Sequence, residues 1–320
     1  MTSSIGQMAF SGGGIVRKQL PDDGPGSFDS LARRDDAGIL PVWRGKPLVD
    51  RKGSLCWLDR HHACLQAIDE TVFLGLQNNS PRFAVDMSSW SPDTGIPERP
   101  DSILDRTEQC HPDAPKGSKF SNLRSLIGTL DEADSELAAI AKSLLSWHSR
   151  HRHCANCGSP CRMIACGWQR KCENCSTIHF CRTDPVVIML VTSGNSVLLG
   201  RAHGWPDRMH SLLAGYMEPG ETIEAAVRRE TFEETGIKVG RVAYVASQPW
   251  PFPSSLMIGC IGSAESTEIA LDRNELEAAT WLTREEMKDA FFNPESQIAP
   301  PRHGSIAAHL IWLWLSGRVG

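Results

Sequence analysis

The chain has 320 residues, of which 22% are charged and 41% are hydrophobic, and its formal net charge is −5. This composition is ordinary for a globular protein with room for two domains, and it gives no basic footprint for nucleic acid over the whole chain. No apolar run approaches the ~20 residues that cross a bilayer, and the first residues lack the apolar core of a signal peptide, so we expect neither membrane association nor secretion.

The first part of the chain names no chemistry by itself. Residues 1–35 are rich in Gly, Ser and Asp, and we expect them to be poorly ordered. Residues 36–150 are expected to form a small mixed domain. Short apolar runs predict strands between about 38 and 90, a Pro- and Asp-rich loop spans about 91–117, and an apolar stripe predicts a helix over about 132–148.

Seven of the eleven cysteines lie between Cys154 and Cys181, which is typical of a metal site in a reducing compartment such as the cytoplasm. Two C-x2-C pairs separated by fourteen residues have the spacing of a zinc ribbon, which we place at residues 151–183. A zinc ion with four thiolate ligands accepts no further ligand, so the site is structural. The predicted zinc ligands are Cys154, Cys157, Cys172 and Cys175.

Two other interpretations of this cluster stay open. The cysteines can be buried thiols without metal, or redox-active pairs, although two matched pairs fit one metal ion better. A neighbouring side chain can also replace one of the four ligands. The neighbours able to do so are Cys161, Cys166, Cys181, His153 and His179.

Residues 184–320 alternate strands with a few helices. A continuous apolar run at 185–192 predicts a central strand, and the run SVLLGR follows it across a short turn as a hairpin. Further strands are expected at 241–247, 256–262 and 278–282. Thr283 and Glu286 form a capping box for a short helix, and Ser305 caps the last helix. This order predicts a mixed sheet between helical layers, within an α+β fold.

A predicted helix over 222–235 carries three glutamates on one face. Glu230, Glu233 and Glu234 have the spacing i, i+3 and i+4, and they continue the apolar stripe with which the helix begins. Carboxylates on an inward face are paired, metal-bound or catalytic, and a divalent cation with oxygen ligands would offset their repulsion. The alternative is a solvated acidic face.

The segment SQPWPFPSS, residues 247–255, follows a predicted strand. Its prolines fix the backbone and remove hydrogen-bond donors, which favours a stiff, extended loop. We expect Trp250 and Phe252 to be held apart from each other, as faces on which a planar base can stack. The alternatives are aromatic residues that only pack, or a partner-binding polyproline stretch.

The segment from 215 to 237 resembles the Nudix box, G-x5-E-x7-R-E-U-x-E-E-x-G-U, in which U is a bulky aliphatic residue. Thr231 departs from the pattern, since an aliphatic residue is usual there. The resemblance implies an α/β/α sandwich that hydrolyses a nucleoside diphosphate linked to another moiety, with Mg²⁺ or Mn²⁺. The matching residues are Gly215, Glu221, Arg229, Glu230, Glu233, Glu234, Gly236 and Ile237.

The pattern SQPWPFPxS downstream of such a box resembles the signature of the NADH pyrophosphatase (NAD diphosphatase) subfamily. That subfamily also carries a four-cysteine zinc ribbon before the Nudix domain, and the flanks of the ribbon look similar here, except that Cys181 stands where Pro is expected. The resemblance covers residues from about 120 to 315. It implies hydrolysis of NAD(H) to NMN(H) and AMP by a homodimer.

The resemblance also implies roles for individual residues. Glu230 and Glu234 ligate Mg²⁺ or Mn²⁺, Glu233 is a further ligand or the base that activates water, and Arg229 orients the glutamates. The carbonyl of Ala214 and the carboxylate of Glu275 are further metal ligands, with Glu277 as the fallback if the register slips. The implied substrate-binding residues are Gln248, Pro249, Trp250, Pro251, Phe252, Pro253, Ser254 and Ser255, with Tyr216 and Phe180 as stacking aromatics and Ala307 and Arg124 as further contacts.

Three rival functions stay open. The first is removal of NAD caps from RNA, since subfamily members can do this and residues 150–182 carry a net charge of +5. In that case, charge reversal at Arg152 and Arg170 would lower activity on NAD-capped RNA and spare NADH; the charges can instead compensate the zinc thiolates. The others are a hydrolase of ADP-ribose or another diphosphate, and a zinc-ribbon binding module with an inactive hydrolase domain. The charged residues of 150–182 are Arg150, Arg152, Arg162, Arg170, Lys171 and Arg182, against Glu173.

Overall fold

The computed structural model describes residues 8–10, 12–18, 20, 26–65, 70–92, 105 and 107–319. They form two compact units. The N-terminal unit consists of Phe10–Arg182 together with Trp250–Ser254, and the C-terminal unit is built mainly from Thr183–Pro249 and Ser255–Gly320. Parts of the predictions for 1–35 and for the loop at 91–117 lie outside the described residues. Within the described part of the chain, no helix is long and apolar enough to cross a membrane.

The N-terminal unit contains a five-stranded sheet with the strand order β3-β4-β1-β2-β5. Strands β1 and β4 are parallel and the other neighbours are antiparallel, so the sheet is mixed. The helix α2 packs against this sheet. The elements are α1 (Phe28–Ala32), β1 (Gly38–Trp43), β2 (Lys46–Val49), β3 (Thr71–Gln77), β4 (Ser80–Asp86), β5 (Lys119–Phe120) and α2 (Glu132–Arg150).

The first 35 residues have definite contacts wherever the structure describes them. Phe10 is buried, and its backbone N–H donates a hydrogen bond of 2.9 Å to the hydroxyl of Ser135 on α2. The helix α1 begins after Ser27, whose side chain accepts from the N–H of Ser30, and Leu31 on this helix is buried. Buried apolar anchors therefore order parts of a segment whose composition predicts disorder.

The zinc ribbon also belongs to the N-terminal unit. Three short antiparallel strands carry it, namely β6 (Cys161–Ile164), β7 (Gln169–Cys172) and β8 (Ile178–Phe180). Each C-x2-C pair lies in a tight turn beside these strands. The backbone N–H groups of Gly158 and Ser176 close the two turns on the carbonyls of Cys154 and Cys172.

The C-terminal unit contains a six-stranded sheet with β9 near its centre. Strand β9 pairs in parallel with β13 and antiparallel with β10 and β11, so the predicted mixed sheet and hairpin are confirmed. The elements are β9 (Asp184–Ser193), β10 (Ser196–Ala202), β11 (Leu213–Tyr216), α3 (Ile223–Thr235), β12 (Val239–Trp250), β13 (Ser255–Ala264), β14 (Leu276–Thr283), α4 (Arg284–Phe292) and α5 (Ile306–Leu315).

Alternate residues of β9 feed two separate cores, because successive side chains of a strand point to opposite faces of the sheet. Ile188 and Leu190 pack with residues of α4 and α5 on one face. Val187 and Met189 pack with residues of α3 on the other face. The C-terminal unit is therefore an α/β/α sandwich. Thr283 forms the predicted capping box with Glu286 at the start of α4, and Ser305 caps α5.

Candidate functional site

The helix α3 has the limits that its sequence predicts. The side chain of Thr222 accepts from the N–H of Ala225 and caps the first turn. At the other end, Gly236 has a φ of 71°, in the left-handed region that favours glycine. Thr231, which departs from the Nudix pattern, is fully buried, and its hydroxyl donates 2.7 Å to the carbonyl of Val227 one turn earlier. That bond satisfies the polar group in the apolar position.

The three glutamates of α3 do not share one environment. Glu234 is only 7% exposed, and the side chain of Glu230 is 12% exposed. The side chain of Glu233 is 51% exposed and lies at the solvent edge of the face. The expectation of three inward carboxylates is therefore correct for Glu230 and Glu234 and wrong for Glu233.

Strand β11 approaches the Glu230 carboxylate so closely that a side chain at Gly215 has no room. A Cβ built on Gly215 would overlap the carboxylate carbon and both carboxylate oxygens of Glu230. Glycine is needed here for this close approach rather than for an unusual φ. The same strand presents Ala214, the predicted carbonyl ligand, immediately before the glycine.

Arg229 connects the acidic residues of this region. Its guanidinium forms a bidentate pair with Glu221, with both N–O distances at 2.8 Å, and one nitrogen donates to Glu230 at 2.8 Å and to Glu233 at 2.9 Å. It also donates 3.0 Å to the carbonyl of Tyr216 on β11. Hydrogen bonds from Arg229 lower the pKa of Glu221, and those to Glu221 first of all raise the pKa of Arg229. The arginine is therefore a fixed cation that holds the end of β11 against α3.

The candidate fourth carboxylate comes from the chain before β14. Glu275 is close enough for its charge to raise the pKa values of Glu230 and Glu234. Glu277, the fallback for this position, instead accepts 3.1 Å from the Nε of Arg201. These charge interactions group Glu275 with the glutamates of α3, whereas Glu277 pairs with Arg201.

The carboxylates fit a divalent cation. Oε2 of Glu234 is buried without a hydrogen-bond partner, and burial, followed by the charges of Glu230, Glu275 and Glu233, raises the pKa of Glu234 to about 8. No three carboxylates among the described residues come within 4.8 Å of one another. A buried, unpartnered carboxylate oxygen beside further carboxylates is the oxygen donor set that a hard divalent cation uses. A cation held by these carboxylates would offset their mutual repulsion.

The four predicted zinc ligands come together in the ribbon. The sulfur atoms of Cys154, Cys157, Cys172 and Cys175 all lie within 4.8 Å of one another, with separations of 3.4–3.6 Å for three of the pairs. Thiolates about 2.3 Å from a shared tetrahedral zinc are separated by nearly this distance. Hydrogen bonds, first from Thr177, lower the pKa of Cys175 to about 5, which favours its thiolate form. The cluster is a structural zinc site.

The neighbouring cysteines and histidines separate into two groups. Cys161 and His179 lie beside Cys154, and Nε2 of His179 is 3.2 Å from the Cys154 sulfur. In contrast, Cys181 donates 3.2 Å to the carbonyl of Trp168, and burial raises its pKa to about 11. Cys181 is therefore a neutral thiol outside the cluster.

Gln248, the first residue of the predicted dinucleotide-binding segment, is fully buried and already committed to structure. Its amide donates to the carbonyls of Gly304 at 2.7 Å and Ala9 at 3.0 Å, and its carbonyl accepts from the N–H of Ile306 at 2.7 Å. The side chain fastens the end of β12 to the start of α5. It is not available to a ligand, because every polar atom that it offers is used.

Trp250 and Phe252 are not held apart, so that expectation is wrong. Their ring centroids are 5.1 Å apart in an edge-to-face arrangement, and the ring of Phe10 packs against both. The guanidinium of Arg124 lies 3.7 Å from the Phe252 centroid, and the buried Lys142 ammonium lies 5.5 Å from it. Arg124 thus covers a ring face of the segment. The sequence gives no signal for Phe10 and Lys142 as its supports, because both are distant along the chain.

The remaining predicted substrate contacts differ in exposure. Tyr216 on β11 is 57% exposed and Phe180 on β8 is 69% exposed, so both aromatic rings are open to a ligand. Ala307 as a whole residue is only 4% exposed and packs in the core beneath α5, so it offers little surface to a ligand.

The basic residues of the ribbon are not one continuous surface. Arg170 is 6% exposed and donates to Nδ1 of His148 at 3.0 Å and to the carbonyl of Cys161, while Nε2 of His148 donates 2.7 Å to the carbonyl of Gly167. Arg170 therefore links α2 to the ribbon. Arg152 and Arg162 are exposed. The expectation that Arg170 belongs to an RNA-binding surface is therefore wrong, because its side chain is buried and hydrogen-bonded inside the unit.

Comparison with known families gives one match to each region. Residues 36–147 match the "NADH pyrophosphatase-like rudimentary NUDIX domain", residues 149–180 the "NADH pyrophosphatase zinc ribbon domain", and residues 182–301 the "NUDIX domain".

Curated proteins with similar sequences carry related names. The human "NAD-capped RNA hydrolase NUDT12" is 47% identical over 198 residues, which are 58% of this chain and 43% of that protein. The mouse mitochondrial "NAD(P)H pyrophosphatase NUDT13" is 35% identical over 266 residues, 79% of this chain and 73% of that protein. The Stutzerimonas stutzeri "NAD-capped RNA hydrolase NudC" is 37% identical over 204 residues, 64% and 70% of the two chains. The chain thus spans less than half the length of the human NUDT12 relative.

The Nudix class is defined by an α/β/α sandwich in which the first connection from the sheet into a helix carries clustered glutamates and one arginine. The chain belongs to the Nudix hydrolase family, in the group with an NADH pyrophosphatase-like rudimentary domain and zinc ribbon.

Proposed function

We propose that the protein hydrolyses the pyrophosphate of NAD(H), giving NMN(H) and AMP, with Mg²⁺ or Mn²⁺ as the catalytic cation. The observation that carries the proposal is the set of three carboxylates of Glu230, Glu234 and Glu275. Within this set, Oε2 of Glu234 is buried without a hydrogen-bond partner. A cation bound there neutralises charge on the diphosphate oxygens and lowers the pKa of water.

The residues around this group have distinct roles in the proposal. Glu230, Glu234, Glu275 and the carbonyl of Ala214 hold the cation, and Arg229 fixes the direction of the Glu230 carboxylate. Glu233 is half-exposed, and among the described residues its carboxylate is hydrogen-bonded by one side chain, that of Arg229. It is therefore able to turn and accept a proton from the attacking water, or to join the ligands of the cation. Both roles of Glu233 remain within the proposal.

The dinucleotide specificity is proposed from the segment of Trp250 to Ser255 and from two exposed aromatic rings. Arg124 holds the segment in one conformation through its contact with Phe252. Tyr216 and Phe180 expose large ring faces, and a nicotinamide or adenine base stacks favourably on such a face. The Pro-aromatic segment, which resembles the dinucleotide-binding signature of the NADH pyrophosphatase subfamily, disfavours a hydrolase of ADP-ribose.

Replacement of one carboxylate tests the proposal. Glu230→Gln keeps the shape of the side chain but removes its charge. We expect it to reduce hydrolysis of NADH by at least about 100-fold, because a charge interaction that is stronger in the transition state than in the ground state is lost. Glu224→Gln, at an exposed position in the first turn of the same helix, is the matched control and should retain wild-type activity. Equal turnover in both variants would contradict the assignment of Glu230 as a metal ligand, whereas absence of turnover in the wild-type chain would support a binding module with an inactive hydrolase domain.

Removal of NAD caps from RNA is the second candidate function. Several relatives, including the human and Stutzerimonas stutzeri proteins, are named NAD-capped RNA hydrolases, and Arg152 and Arg162 expose positive charge on the ribbon. A competition assay with equal concentrations of NADH and a short NAD-capped RNA measures the ratio of the two kcat/KM values. A ratio that favours the RNA and falls steeply with added salt supports this function, because phosphate contacts release counterions.

We also propose a homodimer in the cytoplasm. The dimer rests on the family resemblance, and light scattering of the purified chain measures it directly. The cytoplasm is proposed because none of the eleven cysteines forms a disulfide and seven of them cluster as in a metal site, which is typical of a reducing compartment. Relatives named as mitochondrial and chloroplastic make fluorescence localisation of the tagged protein the appropriate test.

A further inference from the structure

A second group of potential metal ligands lies beside the four-cysteine zinc site, within the N-terminal unit. In the described part of the chain, Cys154, Cys161 and His179 form one further group whose ligand atoms all lie within 4.8 Å of one another. Nε2 of His179 is 3.2 Å from the sulfur of Cys154. Two sulfur atoms and one imidazole nitrogen therefore share one small volume, and Cys154 belongs to both groups.

The register of the ribbon strands explains why these side chains meet. Cys161 on β6 lies directly opposite Cys172 on β7. His179 on β8 lies opposite Arg170, which precedes Cys172 by two residues in β7. Opposed residues share a face of a sheet, and so do residues two apart in one strand. Cys161 and His179 therefore point to the same face as the zinc ligand Cys172, and Cys154 meets them there.

The surroundings of Cys161 differ from those of an ordinary buried cysteine, which packs as a small apolar side chain. Cys161 is 6% exposed, and among the described residues the buried hydrophobic side chains around it are the zinc ligands Cys154 and Cys172. Its sulfur lies 3.9 Å from the carbonyl of Ser159, which is a long contact for a weak S–H donor. The thiol is thus held beside metal ligands without a strong partner of its own.

The charge of this cluster favours a further cation. Four thiolates around one Zn²⁺ leave an excess of two negative charges. Arg170, on the same face of the sheet, contributes one positive charge and is fixed by its bonds to His148 and to the Cys161 carbonyl. The cluster stays negative, and a thiolate at Cys161 would add to that charge. A second divalent cation would offset it.

The donor atoms and their spacing suit a second zinc ion. Two thiolates and an imidazole select a soft or borderline cation rather than Mg²⁺. A nitrogen and a sulfur bound to one tetrahedral zinc lie about 3.5 Å apart, so the His179 ring has to move back by only a few tenths of an ångström. In the alternative, Nε2–H of His179 donates a hydrogen bond to the Cys154 thiolate and orients it as a zinc ligand.

We propose that Cys154, Cys161 and His179 bind a second zinc ion, which shares the Cys154 thiolate with the first. Binding releases the proton of Cys161 to solvent, because the thiolate is the ligand. The second ion is held more weakly, since it has three protein ligands and one of them is shared. The dialysed chain therefore retains one zinc ion, and it takes up another when zinc is added. This site does not depend on the proposed function.

Cadmium-113 NMR of the whole chain tests the proposal directly. Zinc is replaced by ¹¹³Cd²⁺ under reducing, oxygen-free conditions, with the metal alone as the probe. We expect one sulfur-ligated resonance at one equivalent of cadmium and a second at two equivalents, with a scalar coupling between them through the shared sulfur. Cadmium on carboxylate oxygens resonates far from sulfur-ligated cadmium, so binding at Glu230 and Glu234 is distinguishable.

Cys161→Ala and His179→Gln should each remove the second resonance and the coupling, keep the first resonance, and halve the uptake of zinc. The matched controls are Cys181→Ser and His153→Gln, because Cys181 lies outside the cluster and His153 is exposed. Both controls should keep two coupled resonances.

If Cys161→Ala loses both resonances because it perturbs the ribbon, His179→Gln decides, since its ring is only half-buried. A single sulfur-ligated resonance at saturating cadmium, a second resonance without coupling, or a second resonance that persists in His179→Gln would overturn the proposal. The first of these results would leave His179 as a hydrogen-bond donor to the Cys154 thiolate.

Discussion

Gly215→Ala should separate the function of the acidic site from the stability of the fold. The added Cβ would overlap the Glu230 carboxylate, and carbon atoms need about 3.5 Å between them, so the carboxylate must move by more than about 1 Å. Only the tip of a flexible side chain has to move, and the φ of Gly215 is not in the left-handed region. Displacement of a catalytic group by about 1 Å can reduce turnover by about 100-fold.

The expected result is a loss of about 100-fold in kcat/KM for NADH, with the free energy of unfolding changed by less than about 1 kcal/mol. Urea denaturation and a coupled assay for AMP measure the two quantities on the same preparation. Gly240→Ala is the matched control, because its Cβ would meet the carboxylate of the exposed Glu265 instead of a residue of the site. The reasoning is refuted if Gly215→Ala keeps the activity of Gly240→Ala, or if it unfolds the protein.

Three further predictions concern Arg229, His148 and the zinc site. Arg229→Ala should weaken activation by Mn²⁺ by about tenfold or more, as expected when a group that orients metal ligands is lost. The control Arg228→Ala, which removes an exposed arginine of the same helix, should not weaken it. Similar activation curves for the two variants would contradict the orienting role. Burial lowers the pKa of His148 from its usual 6.5, so the stability that the neutral ring contributes is complete above pH 6.5 and is lost as the pH falls through the folded-state pKa. The melting temperature of the wild type should therefore fall as the pH drops below 6.5, and that of His148→Gln should fall less; parallel curves would count against this. Cys172→Ser should abolish zinc retention measured by elemental analysis while Cys181→Ser retains one zinc per chain, and zinc in both variants would disprove the ligand assignment.

The limits of helix α3 and the common face of two of its carboxylates follow from local sequence. Spacing alone places Glu230 and Glu234 on one face, and the capping Thr222 and the left-handed Gly236 set the helix limits. Spacing does not reveal that Glu233 turns to solvent, because a residue at the edge of a helical face is buried or exposed according to what packs beside it. The burial of a side chain at this edge depends on tertiary packing, which the spacing does not contain.

The Pro-aromatic segment shows the opposite case. Its stiffness follows from the prolines, but the packing of its two rings against Phe10, Arg124 and Lys142 depends on residues more than 100 positions away in the chain. Arg170 illustrates the same limit for charge. Composition counts it as surface charge, whereas its bonds to His148 and to the Cys161 carbonyl place it inside the unit.

The zinc ribbon was predictable in full because its determinants are local. Each pair of thiols is positioned by one tight turn. The fourteen residues between the two pairs contain strand segments that bring the two turns together. The separations between the sulfur atoms of Cys154, Cys157, Cys172 and Cys175 then match those of tetrahedral coordination.

The central claim is that the pyrophosphate bond of a nicotinamide dinucleotide is cut, and analysis of the products tests it most directly. The purified protein is incubated with NADH and Mn²⁺, and the products are identified by phosphorus NMR and mass spectrometry. AMP and reduced NMN should appear in equal amounts, and neither should form without the divalent cation. Release of free nicotinamide with the diphosphate intact, or no product at any concentration of Mg²⁺ or Mn²⁺, would contradict the account.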